Sequence, residues 1–197
     1  MAWRDAKDTG VGVGRRLLLA AGLAGALSLA ISVHPARAAS ASQLSAEGNA
    51  ALQRLYGQSP RARELSRKAV AILIFPKITK AGFLVGGQGG NGVLLMGGRP
   101  AGYFSIYAGS FGLQAGVQQF SYAQFIITRS ALDYMKKSDG WAIGSGPSVV
   151  VVDEGFAKTM NTTTLSNDVY AMPFGQKGLM AGLGLEGSKI TRIHPGP

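Results

Sequence analysis

The chain has 197 residues, with 20 Lys and Arg against 10 Asp and Glu, 29 Gly and no Cys. Without a thiol there is no disulfide framework, no Cys-ligated zinc or iron–sulfur site and no catalytic cysteine. A hydrophobic content of 46% against 15% charged residues is typical of a chain that folds. The net charge of +10 predicts an anionic partner, which charge alone cannot assign to nucleic acid or to a membrane surface.

The beginning of the chain has the pattern of an export signal. A polar segment ends in Arg15-Arg16, residues 17–33 are apolar, and Ala36-Arg37-Ala38 places small residues where a signal peptidase reads them. We expect a signal peptide at 1–38 and a single periplasmic or secreted domain at 39–197. An uncleaved anchor is the alternative, but the apolar stretch is short and Ala-rich for a bilayer core. The Arg pair also resembles a twin-arginine signal, so that route and the general secretory route both stay open.

The positive charge is concentrated in one part of the expected mature domain. Removing residues 1–38 takes away five of the 20 basic and two of the 10 acidic residues, which leaves a net charge of +7. Positions 54–80 carry six of these seven units, and the chain after Gly82 is nearly neutral. The basicity therefore belongs to one early region.

Two helices are predicted at the start of this domain. Residues 42–55 have a loose helical spacing of apolar residues, and Tyr56-Gly57 is expected to end that helix. Ser59-Pro60 is typical of a helix start, with Ser as the N-cap and Pro in the first turn. The second helix buries Ala62, Leu65 and Ala69, which places Arg63 and Arg67 together on its outer face.

The remainder is rich in β-strand signals and punctuated by glycine. Residues 69–75 predict a buried strand that Pro76 should end, and residues 130–137 predict one interior helix. Further strands are expected at 83–85, 93–96, 103–107, 111–120, 125–128, 149–152, 170–174 and 179–185. The expected fold class is α+β, with a curved antiparallel β-sheet or barrel, N-terminal helices and one short interior helix.

The glycine run at 86–98 has two interpretations. Glycine permits sharp curvature and tight turns in strands. Alternatively, exposed backbone amides at such turns could hold a lipid phosphate beside Lys77 and Lys80.

Catalytic patterns are weak throughout. Residues 87–92 satisfy GxGxxG literally, but a strand signal follows them, so no helix N-terminus would receive a pyrophosphate. The expected mature domain has a single His, His194, near its C-terminus, where a serine nucleophile or a metal would lack partners. The adjacent carboxylates of Asp153-Glu154 precede a glycine, which predicts a turn and not a catalytic pair. We therefore expect no enzymatic activity, no cofactor and no metal.

Nucleic-acid binding is also disfavoured. Stacking platforms need aromatic residues interleaved with cations, but the aromatic-rich segment at 103–125 contains no Lys or Arg. It is well separated in sequence from the basic region, and export would remove most nucleic acid from reach.

Several motifs, in order, resemble those of one family. They are Ala71-Ile72-Leu73-Ile74-Phe75-Pro76-Lys77 with Lys80-Ala81-Gly82-Phe83, then Ser110-Phe111-Gly112-Leu113-Gln114-Ala115-Gly116, Gly146-Pro147-Ser148, and Tyr170 with Lys177-Gly178-Leu179-Met180-Ala181-Gly182 and Leu185-Glu186-Gly187-Ser188. The chain from about residue 46 to 193 thus resembles the SYLF domain, a lipid-binding module. The resemblance implies peripheral binding of anionic phospholipid near the first helices, and actin binding in some fungal members. Residues 103–106 depart from the family's Trp-Ser-x-Pro segment.

The basic region agrees with a lipid-binding role on physical grounds. The candidate lipid-binding residues are Arg61, Arg63, Arg67, Lys68, Lys77 and Lys80. Each cation close to an anionic bilayer contributes about 1 kcal/mol of attraction. The alternative is a solvated helix face on which Glu64 pairs with Lys68. Leu44, Leu52 and Leu55 would either enter the membrane interface or cover one end of the sheet.

We therefore expect a non-enzymatic domain that docks peripherally on anionic phospholipid through a basic N-terminal face. The alternative is an envelope structural or stress protein that acts mainly through protein partners or self-association. A hydrolase without a recognisable signature is a third possibility.

Overall fold

The computed structural model describes residues 39–138, 140–152, 165–178 and 187–197. The expected signal peptide at 1–38, the turn at Asp153-Glu154 and the strand at 179–185 lie outside the described residues. Arg37–Pro197 form a compact unit by themselves. In chain order the elements are α1 Ala41–Gln58, α2 Pro60–Lys68, β1 Ala71–Met96, β2 Arg99–Ile126, α3 Arg129–Lys137, β3 Gly140–Ala142, β4 Val149–Val151, β5 Val169–Gly178 and β6 Lys189–Ile193.

The three helices lie where local signals predict them. The Ser59 hydroxyl accepts a hydrogen bond from the Ala62 amide at 3.2 Å, and Pro60 occupies the first position of α2. Thr128 caps α3 in the same way. Helix α1 runs to Gln58, slightly past the end expected at Tyr56-Gly57. Side-chain caps satisfy amides that the helix leaves without partners, so these starts are fixed by nearby residues.

Most of the predicted short strands are parts of one long hairpin, which corrects the expected meander. Strands β1 and β2 pair antiparallel from Ala71 opposite Ile126 to Met96 opposite Arg99. A two-residue turn joins them, and both of its residues, Gly97 and Gly98, have positive φ. The glycines between the apolar segments therefore lie within the strands and do not end them.

Pro76 does not end β1, contrary to the prediction. The register shifts between Phe75 and Ile78, so an irregularity in the pairing accommodates the proline. The Ser121 hydroxyl donates to the Pro76 carbonyl at 2.7 Å. Proline is tolerated at such an irregularity because it has no amide hydrogen to contribute to the ladder.

Strand β2 is the centre of a curled, half-barrel sheet. It pairs with β1 along one edge and, along the other, with β5 near its end and β6 near its start. Strand β3 lies beyond β6, and β4 lies beyond β5. Since β4 and β5 are parallel, the sheet is mixed and not purely antiparallel as expected.

The curl brings β1 across itself at two glycines. A Cβ atom built on Gly92 would lie 2.6 Å from the Ile74 carbonyl oxygen and 2.6 Å from Phe75 Cδ1. A Cβ atom on Gly90 would meet the Lys77 carbonyl oxygen. Two segments of one strand can approach this closely only where a side chain is missing.

Alternate residues of the sheet face two separate cores. Leu73, Phe75 and Tyr122 pack in one core with Leu132 and Met135 of α3. Ile74, Ala123 and Phe125 pack in the other with Leu52 and Leu55 of α1 and Ala62 and Leu65 of α2. Because neighbouring strand residues point to opposite faces, α1 and α2 cover one face of the sheet and α3 covers the other. The α+β fold class, with N-terminal helices and one short interior helix, is confirmed.

Candidate functional site

Helix α2 carries most of the predicted site residues. Its Ala62 and Leu65 side chains are fully buried, which fixes the face that contacts the rest of the protein. Successive helical residues are about 100° apart, so Arg67 lies about 200° around the helix from Leu65. Arg63 is one turn before Arg67 and shares its outward stripe.

Arg63 and Arg67 form the exposed centre of this surface. Both side chains are exposed, and the Arg67 Nε donates to the Arg63 carbonyl oxygen at 3.3 Å. Within the described part of the chain, neither guanidinium lies within 4.0 Å of a carboxylate. The structure therefore brings two cations together at the surface, as the spacing predicts. Lys68, at the end of the helix, is also exposed.

Arg61 differs from its neighbours because it contacts the acidic residue of the helix. Its Nη1 lies 2.6 Å from Glu64 Oε2, and its side chain is only 20% exposed. The sequence suggested Lys68 as the partner of Glu64, whereas the structure places Arg61 against this carboxylate. Arg61 therefore offers little net charge to an anionic surface.

The two predicted lysines of β1 lie in different surroundings. Lys77 is exposed at the irregularity after Pro76. Lys80 is 5% exposed and pairs in register with Gln118, which is also buried. The structure does not bring Lys80 to the exposed surface. The number of basic residues does not show which of them are buried, so the sequence could not distinguish the exposed Lys77 from the buried Lys80.

We call the exposed set of Arg63, Arg67 and Lys68 the α2 basic surface. The leucines of α1 do not add an apolar element to it. Leu44, Leu52 and Leu55 are 2%, 6% and 2% exposed. Of the two roles suggested by the sequence, covering the sheet is confirmed.

A hydrogen-bonded cluster around Asp168 was not expected from the sequence. The Thr128 hydroxyl donates to Asp168 Oδ1 at 2.7 Å, and the Ser148 amide and hydroxyl donate to Oδ2 at 3.0 and 2.9 Å. These hydrogen bonds lower the pKa of Asp168 below its ordinary value, and the bond from Thr128 contributes most to this change. A cavity of about 210 Å³ beside it is lined by Ser130, Ala131, Tyr134, Pro147 and Asp168. The cluster links the start of α3 to the segment before β4, and none of the predicted site residues lines the cavity.

The described residues offer little for metal chemistry. No group of three or more His, Asp or Glu side chains among them could hold a metal ion.

The literal GxGxxG match lies inside β1, where no helix follows it. A helix long and apolar enough to cross a membrane does not occur in the part of the chain that the structure describes.

Comparison with known families assigns the second half of the domain. A family model described as Ysc84, Las17-binding protein actin regulator, matches residues 107–194. This segment belongs to the SYLF family. The match begins within β2 and runs through β6, so it includes the motifs at 110–116, 146–148 and 170–188 on which the resemblance rests. The SYLF motif at 71–83 and the α2 basic surface precede the matched SYLF segment. No curated protein matches the chain.

Proposed function

We propose that this SYLF-family protein binds lipid by docking peripherally on anionic phospholipid membranes. The α2 basic surface is the docking element, and Arg63 and Arg67 are its centre. The observation that carries the proposal is the pair of exposed guanidinium groups on α2 without a carboxylate within 4.0 Å among the described residues.

Charge would supply the affinity on this account. Each cation near an anionic bilayer is attracted by about 1 kcal/mol, so the two central arginines contribute about 2 kcal/mol to a weak, reversible contact. The leucines of α1 are buried in the core, so they add no apolar anchor to this contact. Such docking weakens as salt screens the charges.

The biological setting is part of the proposal. We infer that residues 1–38 direct export and that the domain acts in the periplasm or outside the cell, at the membrane surface. We further infer that the domain is not an enzyme and needs neither a cofactor nor nucleic acid.

A second candidate function is binding of a protein partner or self-association in the envelope. The description of the family model names an actin regulator that binds another protein. Tyr107 and Val117 on β2 are 65% and 59% exposed, so apolar side chains are available for such contacts. This function predicts no dependence on lipid charge.

Replacement of the two central arginines tests the docking proposal. We expect Arg63→Gln with Arg67→Gln to remove about 2 kcal/mol of attraction and to weaken co-sedimentation with phosphatidylglycerol vesicles about 30-fold. The matched control is Arg99→Gln with Lys177→Gln, which removes the same charge from exposed residues outside α2. An equal loss in both pairs, or no loss in the first, would contradict the α2 basic surface as the docking element.

A further inference from the structure

A second group of cations lies at the C-terminal end of α3. Lys136 and Lys137 are exposed in the last turn of this helix. Arg192 of β6 reaches the same place, because its Nη2 donates to the Lys136 carbonyl oxygen at 3.3 Å. We call Lys136, Lys137 and Arg192 the α3 basic surface.

The position of Arg192 is fixed from two sides. Its guanidinium carbon lies 5.3 Å from the centroid of the Phe104 ring, and Phe104 is fully buried opposite Arg192 in the β2–β6 pairing. A cation over an aromatic face is held by the ring quadrupole while it keeps its charge. Asp133, the acidic residue within α3, lies more than 4.0 Å from every cation in the described part of the chain. The α3 basic surface therefore keeps a net positive charge.

The two basic surfaces point away from each other. Helix α2 buries Leu65 in the core on one face of the sheet, and α3 buries Met135 in the core on the other. Arg67 lies about 200° around α2 from Leu65, and Lys137 lies about 200° around α3 from Met135. Each set of cations therefore faces away from the core that its own helix covers, and the two cores lie on opposite faces of the sheet.

We propose that one molecule of this protein bridges two anionic membranes, with the α2 basic surface on one and the α3 basic surface on the other. This inference rests on the proposed docking through α2. A flat membrane cannot contact two surfaces that point in opposite directions, so the α3 basic surface is left available when α2 is docked. A vesicle covered with docked protein presents many such surfaces at once, and this multivalency captures a second vesicle even though each contact is weak.

Basic residues in the last turn of a helix also have an ordinary structural role, because they interact favourably with the helix dipole. That role affects the stability of α3 and does not affect contact between vesicles. The two explanations therefore differ in what the loss of Lys136 and Lys137 would change.

The test compares vesicle binding with vesicle aggregation for residues 39–197. Phosphatidylglycerol vesicles are used for both, with co-sedimentation to measure binding and turbidity to measure aggregation. For Lys136→Gln with Lys137→Gln we expect the binding midpoint to stay within about twofold of the unmodified domain, and the initial aggregation rate to fall at least about tenfold. The pair Arg99→Gln with Lys177→Gln, which changes the net charge equally, should aggregate vesicles like the unmodified domain.

Several outcomes separate this inference from the proposed function. If the unmodified domain does not bind these vesicles, the proposed function fails and bridging fails with it. If it binds without aggregating them, or if the Lys136→Gln, Lys137→Gln variant aggregates them at the original rate, docking stands and bridging through α3 is wrong. Aggregation that persists in this variant together with a dimer in size-exclusion chromatography would assign bridging to self-association. Circular dichroism of each variant confirms that the fold is intact.

Discussion

Asp168 holds together two segments that are distant in the sequence. Three hydrogen bonds reach its carboxylate from Thr128 and Ser148. Thr128 also caps α3, since its hydroxyl accepts a bond from the Ala131 amide at 3.3 Å. The charged form of Asp168 is favoured by these donors, which is why its pKa is lowered.

The stability contributed by Asp168 should depend on pH. A carboxylate whose pKa is lowered by folding stabilises the protein above its unfolded pKa, about 3.8, and this stability is lost as the pH falls through the folded pKa. We expect Asp168→Asn to lower the free energy of unfolding by roughly 0.5–1 kcal/mol at neutral pH, because the partly exposed donors lose a charged acceptor and keep only one amide oxygen. The difference from the unmodified domain should shrink below about pH 3.8 in urea titrations.

A matched control for this prediction is Asp133→Asn on the exposed side of α3. Its side chain makes no hydrogen bond with a described residue, so we expect a change within about 0.5 kcal/mol at neutral pH. If the deficit of Asp168→Asn is the same at neutral and acidic pH, the hydrogen bonds do not act through the charge of the carboxylate.

The six candidate lipid-binding residues show what a sequence can and cannot say about a site. Helical spacing places Arg63 and Arg67 on one outer face, and this needs only the residues of α2. Lys80 is buried where β1 pairs with Gln118, and Gln118 is far along the chain, so spacing around Lys80 does not reveal this. Spacing along the helix suggested Lys68 as the partner of Glu64, and the structure places Arg61 Nη1 2.6 Å from this carboxylate.

At the scale of elements, the crossing of β1 over itself places the strictest requirement on residue type, because it leaves no room for a side chain at two positions. The sequence predicted the helices well, because caps and apolar spacing are local signals. It divided the long hairpin into short strands, because glycine usually interrupts strands. Here Gly90 and Gly92 are required for close approach within a continuous strand, and that approach is a contact between residues distant along β1. For these two glycines, this contact favours strand curvature over a site for a lipid phosphate.

Replacement of Gly92 tests the crossing. In Gly92→Ala the new Cβ atom would lie 2.6 Å from both the Ile74 carbonyl oxygen and Phe75 Cδ1, so the backbone must move. We expect the free energy of unfolding in urea to fall by about 1–3 kcal/mol.

Gly109→Ala is the control for this substitution, since a Cβ atom there meets nothing within 4 Å. It lies in β2 and should change the stability by no more than about 0.5 kcal/mol. Equal stability of the two variants would show that β1 does not cross itself at Gly92.

For the whole molecule, the net charge of +10 is less informative than the places where charge is exposed. Within residues 61–80, one arginine contacts Glu64 and one lysine is buried, whereas Arg63, Arg67, Lys68 and Lys77 remain exposed. Cations outside the predicted region, at the end of α3, form a further basic surface that only the fold reveals, because Arg192 is distant in sequence from Lys136. Helices α2 and α3 cover different faces of the sheet, so exposed cations occur on both.

Because the described leucines of α1 are buried, docking on this account depends on charge. An interaction of exposed charges is strong only while the salt concentration keeps the screening length long, about 10 Å at 0.1 M. Lipid charge and salt concentration should therefore control binding together. This distinguishes docking on anionic phospholipid from a function carried out through protein partners.

The most direct test is co-sedimentation of residues 39–197 with phosphatidylglycerol vesicles and with neutral phosphatidylcholine vesicles, at low and at high salt. We predict that the domain pellets with the anionic vesicles at about 0.1 M salt, stays in solution with the neutral ones, and leaves the anionic vesicles as salt rises toward about 1 M. Equal pelleting with both kinds of vesicle, or binding that salt does not weaken, would contradict electrostatic docking.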